Sequence, residues 1–134
     1  MTLREVQHAH IPTLTRESTV RDAVDKMDVY QFPALVVVDD DQAVVGVVTE
    51  GDLCRAVSRN GSLTAMSSDP AHVYGSSDPT TAQADTEIGD AYHRMLMSGL
   101  TLLPVVEDGR LAGVVLRVDL MQALLADVTQ DSSA

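Results

Sequence analysis

The chain contains an internal repeat, and a duplicated unit that cannot bury its own faces must pair with its twin. Residues 18–27 (STVRDAVDKM) align with residues 86–95 (TEIGDAYHRM). Apolar side chains recur at matching places: Val20, Ala23, Val24 and Met27 in one, Ile88, Ala91, Tyr92 and Met95 in the other. That is the i, i+3, i+4, i+7 stripe of an amphipathic helix. Thr19 followed by Asp22 has the form of an N-cap and its reciprocal acid. Each helix leads into a β-type run, Leu35 to Val38 before Asp39, Asp40 and Asp41, and Leu103 to Val106 before Glu107, Asp108 and Gly109. A second run follows each acidic turn, Val44 to Val48 and Leu111 to Leu116, so each half predicts a hairpin. The near-continuous apolarity of these runs predicts strands covered on both faces. Gly46-Val47-Val48-Thr49-Glu50-Gly51-Asp52 then opens a helix striped by Leu53, Ala56 and Val57. Its counterpart, Gly113-Val114-Val115-Leu116-Arg117-Val118-Asp119, opens one striped by Leu120, Ala123 and Leu124.

The order of elements is therefore helix, strand, strand, helix, twice, with one residue of slippage in the acidic turn. The expected fold class is α/β (α+β): two pseudo-symmetric repeats, each a small β-sheet packed on two helices, forming one compact module. The first repeat spans residues 1–60, a connector 61–75, the second repeat 76–128 and a polar tail 129–134. The stretch from Ser58 to Pro79 is rich in Ser, Gly, Asp and Pro, as a connector should be. Its two Ser-Ser-Asp-Pro segments, at 67–70 and 76–79, are turn chemistry.

Composition removes several classes of function. Twenty acidic residues against nine basic ones give a net charge of −11, and the single lysine is Lys26. Nucleic-acid binders need clustered Lys and Arg to displace counterions from phosphates, so a nucleic-acid partner is not expected. The same acidity repels an anionic membrane surface, and apolar runs of roughly five residues are too short to span a bilayer. One cysteine, Cys54, permits no intrachain disulfide, and the N-terminus lacks the apolar core of a secretory signal. A cytoplasmic protein is expected.

With helix stripe, acidic hairpin and Gly-hydrophobic-hydrophobic-Thr-x-x-Asp opening the last helix, the chain resembles a tandem CBS (cystathionine beta-synthase) domain pair, the Bateman module, over roughly residues 6–126. The resemblance implies a regulatory protein, not an enzyme. Such pairs bind AMP, ADP, ATP or S-adenosylmethionine in clefts between the repeats, with no required cofactor, and modulate a partner enzyme or transporter. It also implies a homodimer. By the family's pattern the main cleft would use Thr49 and Asp52 from one repeat with Thr81, Leu100, Thr101 and Leu102 from the other. A second, weaker cleft would use Asp119 with Thr13, Phe32, Pro33 and Ala34. Arg55 and Arg117, near the two helix starts, are candidate phosphate contacts.

The residues bear on this independently. Thr49 lies where a strand meets a helix, beside main-chain N–H groups that favour an anion, and Asp52 can accept from both hydroxyls of a ribose. Thr-x-x-Asp is equally an ordinary capping pair, and the two roles are compatible. Leu100 and Leu102 suit either an apolar slot for a base or the core. In the second cleft Leu116 replaces the threonine and cannot donate to a phosphate. Glu50 opposes phosphate at the first cleft, and a triphosphate wants several cations or a metal. That favours AMP, adenosine or the cationic S-adenosylmethionine over ATP.

Other chemistry gathers no support. His8, His10, His72 and His93 are scattered, with His8 and His10 expected as a surface pair and no metal-site spacing. Cys54 is expected to be a quiet thiol, and neither a P-loop nor a nucleophile elbow is present. Two functions compete: an adenosyl-ligand sensor, and a ligand-free dimerisation or interaction scaffold with degenerate clefts.

Overall fold

The computed structural model describes the backbone of residues 1–133 and the side chains of residues 1–126; the side chains of the expected tail over 129–134 lie outside the described residues. It divides into two compact units, one of residues Ile11–Pro79 and one of Met1–His10 with Thr80–Ala134. Each carries one copy of the repeat, and we call them the first-repeat and second-repeat units.

The first-repeat unit runs β1 (Thr13–Leu14), α2 (Val20–Tyr30), β2 (Ala34–Val38), β3 (Val44–Thr49), α3 (Glu50–Asn60) and α4 (Leu63–Met66), then a 3-10 turn at Ala71–Tyr74. The Thr19–Asp22 capping box starts α2: Asp22 N donates to Thr19 Oγ1 at 3.1 Å and Thr19 N to Asp22 Oδ2 at 2.9 Å. These bonds hold the Asp22 carboxyl below its ordinary range. The stripe then buries Val20, Ala23 and Met27. All five residues of β2 are buried, as continuous apolarity predicts for a strand covered on both faces. β2 and β3 form the expected antiparallel hairpin, with an irregularity between Val37 and Val38. Its turn is closed by Asp39, whose Oδ1 accepts from the N–H groups of Asp41 and Ala43, both at 2.9 Å. The acidic run is thus turn chemistry in the Asx manner.

The second-repeat unit opens with α1 (Leu3–Val6), which precedes β1 in the chain, and continues with β4 (Ala82–Gln83), α5 (Ile88–Ser98), β5 (Leu102–Glu107), β6 (Arg110–Leu116) and α6 (Arg117–Ser133). Its core gathers Ile88, Ala91, Met95, Leu103, Val105, Val115 and Leu120 with Leu3 from α1. β5 and β6 pair antiparallel, again with an irregularity, between Val105 and Val106.

The sequence reading omits β1 and β4, each of which adds a short parallel strand to its hairpin, Thr13 opposite Val36 and Ala82 opposite Val105. Two-residue strands have no periodicity to read. Residues 61–75, expected as a connector, carry α4 and the 3-10 turn, and Met66 and Ala71 there are buried in the first-repeat core. Tyr74 donates to Asp69 Oδ2 at 2.6 Å, which pushes its phenol up from the ordinary value.

Each sheet is also joined by a segment that precedes the other repeat in sequence. Ser76 pairs with Val47 through N–H···O bonds of 2.9 and 3.0 Å; His8 pairs with Val114 through bonds of 2.9 and 3.0 Å. This explains the matched glycines. A Cβ on Gly46 would lie 2.9 Å from the Ser76 carbonyl oxygen, and one on Gly113 would lie 2.6 Å from that of His8. No helix among the described residues is long and apolar enough to cross a membrane.

Candidate functional site

β3 ends at Thr49 in extended geometry and α3 begins at Glu50, so Thr49 is the N-cap. Asp52 N donates to Thr49 Oγ1 at 3.0 Å, and Thr49 N donates to Asp52 Oδ2 at 2.9 Å. The pair is a closed capping box, and the cap reading of Thr-x-x-Asp holds. It does not exhaust either group. The threonine hydroxyl uses a lone pair in the cap, so its O–H proton is left to donate elsewhere. On the carboxylate, Oδ1 accepts, among the described residues, only from Arg55 Nη2, at 2.8 Å. Asp52 is 16% exposed while Arg55 is 69% exposed, so this ion pair stands toward solvent and is weak and displaceable. Thr49, Asp52 and Arg55 are therefore drawn together at one corner of the first-repeat unit. The remaining groups assigned to that cleft, Thr81, Leu100, Thr101 and Leu102, belong to the second-repeat unit. There Leu102 is buried in β5, Leu100 packs on the core, and Thr81 is half-buried with its carbonyl accepting from Arg94 Nη1 at 3.0 Å.

The matching corner of the second-repeat unit is built differently. Leu116 N donates to Asp119 Oδ2 at 2.8 Å, which repeats the main-chain half of the box. Leu116 has no hydroxyl to return the bond. In its place His8 arrives from the N-terminal segment, with Nε2 2.9 Å from the same Oδ2. Arg117 is exposed at the first residue of α6. The other residues assigned to that cleft sit in the first-repeat unit: Thr13 in β1, with its carbonyl accepting from Lys26 Nζ at 2.7 Å, and Ala34 buried in β2. Phe32 and Pro33 line a groove of about 490 Å³ beside α2 and α3, together with Met27, Leu53, Cys54 and Val57. Glu50 borders the same groove, as does Asp28.

Sequence reasoning missed His8, which it placed with His10 as a surface pair. The signal was available in the repeat: His8 stands to Thr13 as Ser76 stands to Thr81. What sequence could not supply was the exchange of segments that carries His8 onto Asp119.

The profile of the CBS domain matches residues 3–59 and 65–126. An uncharacterized 17.7 kDa protein of Acidianus ambivalens is 35% identical over 108 residues, which cover 80% of this chain and 63% of that protein. The arabinose 5-phosphate isomerase GutQ of Escherichia coli K12 is 32% identical over 114 residues, 84% of this chain but 34% of GutQ. The chain thus spans less than two-thirds of these relatives. Among solved structures, a putative acetoin utilization protein (AcuB) from Vibrio cholerae superposes with a TM-score of 0.84 at 22% identity, covering 100% of this chain and 97% of that one. CBSX2 in complex with AMP gives 0.78 at 23% identity, covering 93% and 96%. The CBS domain pair of protein MJ0100, in complex with 5'-methylthioadenosine and S-adenosyl-L-methionine, gives 0.79 at 18% identity, covering 95% and 98%.

Proposed function

Because this chain belongs to the CBS domain family and carries two copies of the domain, we propose that it is a regulatory module sensing an adenosyl ligand, and not an enzyme. The ribose hydroxyls bond to Asp52, displacing Arg55, and the Thr49 O–H donates to the phosphate or its substitute. The observation that carries this reading is the Thr49–Asp52 box, which keeps a donor and an accessible carboxylate oxygen after capping the helix. Relatives in fold hold such molecules, AMP in CBSX2 and S-adenosylmethionine in MJ0100. Glu50 on the first turn of α3 and the net charge of −11 weigh against a triphosphate, so AMP, adenosine or S-adenosylmethionine is preferred to ATP. Occupancy is passed to a regulated enzyme or transporter, and the module works as a cytoplasmic homodimer.

Calorimetric titration with AMP, ADP, ATP, adenosine and S-adenosylmethionine tests the site. Binding of one of them at one equivalent per chain, lost in Asp52→Ala, is expected. Retention of that binding in the variant overturns the assignment. Silence across the panel, from protein shown to be folded, supports the second reading instead. That reading, a ligand-free interaction scaffold, draws on the exposed apolar side chains Val29 and Tyr30 of α2, Leu96 and Met97 of α5, and Met121 and Leu125 of α6.

A further inference from the structure

The two repeats provide an internal comparison at the helix-start aspartate. Asp52 and Asp119 each accept from the main-chain N–H three residues before them, at 2.9 and 2.8 Å, with side chains 16% and 19% exposed. Each lies in a unit whose sheet is joined by an exchanged segment, through Ser76 in one and His8 in the other. The residue at that crossing is Ser76 in the first-repeat unit and His8 in the second. Ser76 is exposed and bonds to Val47 through its main chain. His8 makes the same main-chain pairing and also extends its imidazole to Asp119 Oδ2.

The consequence is stoichiometric. Among the described residues Asp119 Oδ2 already takes two donors, Leu116 N and His8 Nε2, which leaves Oδ1 to grip a ligand. Holding a ribose through both vicinal hydroxyls takes acceptor capacity on both oxygens, and the His8 imidazole, 2.9 Å from Oδ2, competes for one of them. At Asp52 the competing group is Arg55, exposed and free to swing into water. His8 instead is anchored: its own N–H and C=O are fixed to Val114, and α1 just ahead of it buries Leu3 completely.

We propose that His8 is the specificity-determining residue of the second site, an intramolecular occupant that withholds Asp119 from the adenosyl ligand and leaves the chain with one working site. This rests on the reading of the Thr49–Asp52 corner as an adenosyl site. The main-chain bonds of residue 8 do not involve its side chain, so His8→Ala is expected to keep the segment in place while removing the imidazole.

Calorimetric titration with AMP and with S-adenosylmethionine tests it in four proteins: wild type, His8→Ala, His8→Gln, and His8→Ala combined with Asp119→Ala. Wild type is expected to take one equivalent, dependent on Asp52. His8→Ala is expected to take a second equivalent, lost again in the double variant, while His8→Gln, which keeps a donor near the Nε2 position, stays at one. If His8→Ala remains at one Asp52-dependent equivalent, the inference is overturned and the first site stands. A wild type that already takes two equivalents overturns it as well. A silent wild type whose His8→Ala form gains an Asp119-dependent equivalent supports the inference and overturns the assignment of the first site. Silence in every form overturns both.

Discussion

Thr49 serves two tasks with one hydroxyl, and the tasks separate by experiment. Its lone pair caps α3 by accepting from Asp52 N, and its proton is available to a ligand. Thr49→Ala is expected to cost about 1 kcal/mol of stability, the usual worth of an N-cap, read from denaturant melts. The same variant is expected to weaken AMP by about tenfold, as fits the loss of one charge-assisted hydrogen bond, while adenosine affinity changes little. Equal weakening of both ligands would place the hydroxyl's effect in the helix start alone. The second corner shows the contrast, because Leu116 keeps the main-chain bond to Asp119 and forfeits the hydroxyl.

At the scale of elements, the crossing of an exchanged segment over each sheet decides which glycines matter. Gly113 sits under the His8 carbonyl, and an added Cβ would also meet the Gln7 side chain at 3.1 Å. Gly113→Ala is expected to destabilise by about 1–3 kcal/mol, as overpacking does, and to speed hydrogen exchange at the His8 amide as the pairing with Val114 loosens. Gly89 in α5 is the control, since a Cβ there meets nothing within 4 Å. Gly89→Ala is expected to leave stability unchanged or raise it by up to about 1 kcal/mol, the helix-propensity difference. Identical effects from both substitutions would remove the segment crossing as the cause.

At the scale of the whole molecule, net charge and exposed apolar surface pull in opposite directions. Copies carrying −11 each repel one another, while Leu96 and Met97, 51% and 74% exposed on α5, favour association. The proposed homodimer should therefore strengthen with ionic strength, because salt screens the repulsion and leaves apolar burial intact. Light scattering behind size exclusion is expected to show a dimer that Leu96→Glu with Met97→Glu converts to monomer. An unchanged mass in that variant would move the interface off α5.

The sequence by itself determined the duplicated architecture, the stripes of α2, α3 and α5, the two hairpins and the Thr49–Asp52 box. All of these follow from local periodicity and from contacts a few residues apart, which a repeat displays twice. The short strands β1 and β4 were not legible, since each is two residues long and exists only by pairing with a distant hairpin. Nor were the roles of Met66 and Ala71, which a turn-rich composition hides and burial reveals. Tertiary structure alone decided what stands beside Asp119. A histidine 111 positions away reaches it only because residues 1–10 leave their own repeat and pair with β6. Such pairing rests on main-chain hydrogen bonds, which nearly any residue but proline can make, so its mark in the sequence is the glycine beneath each crossing, and that glycine does not say which segment crosses it.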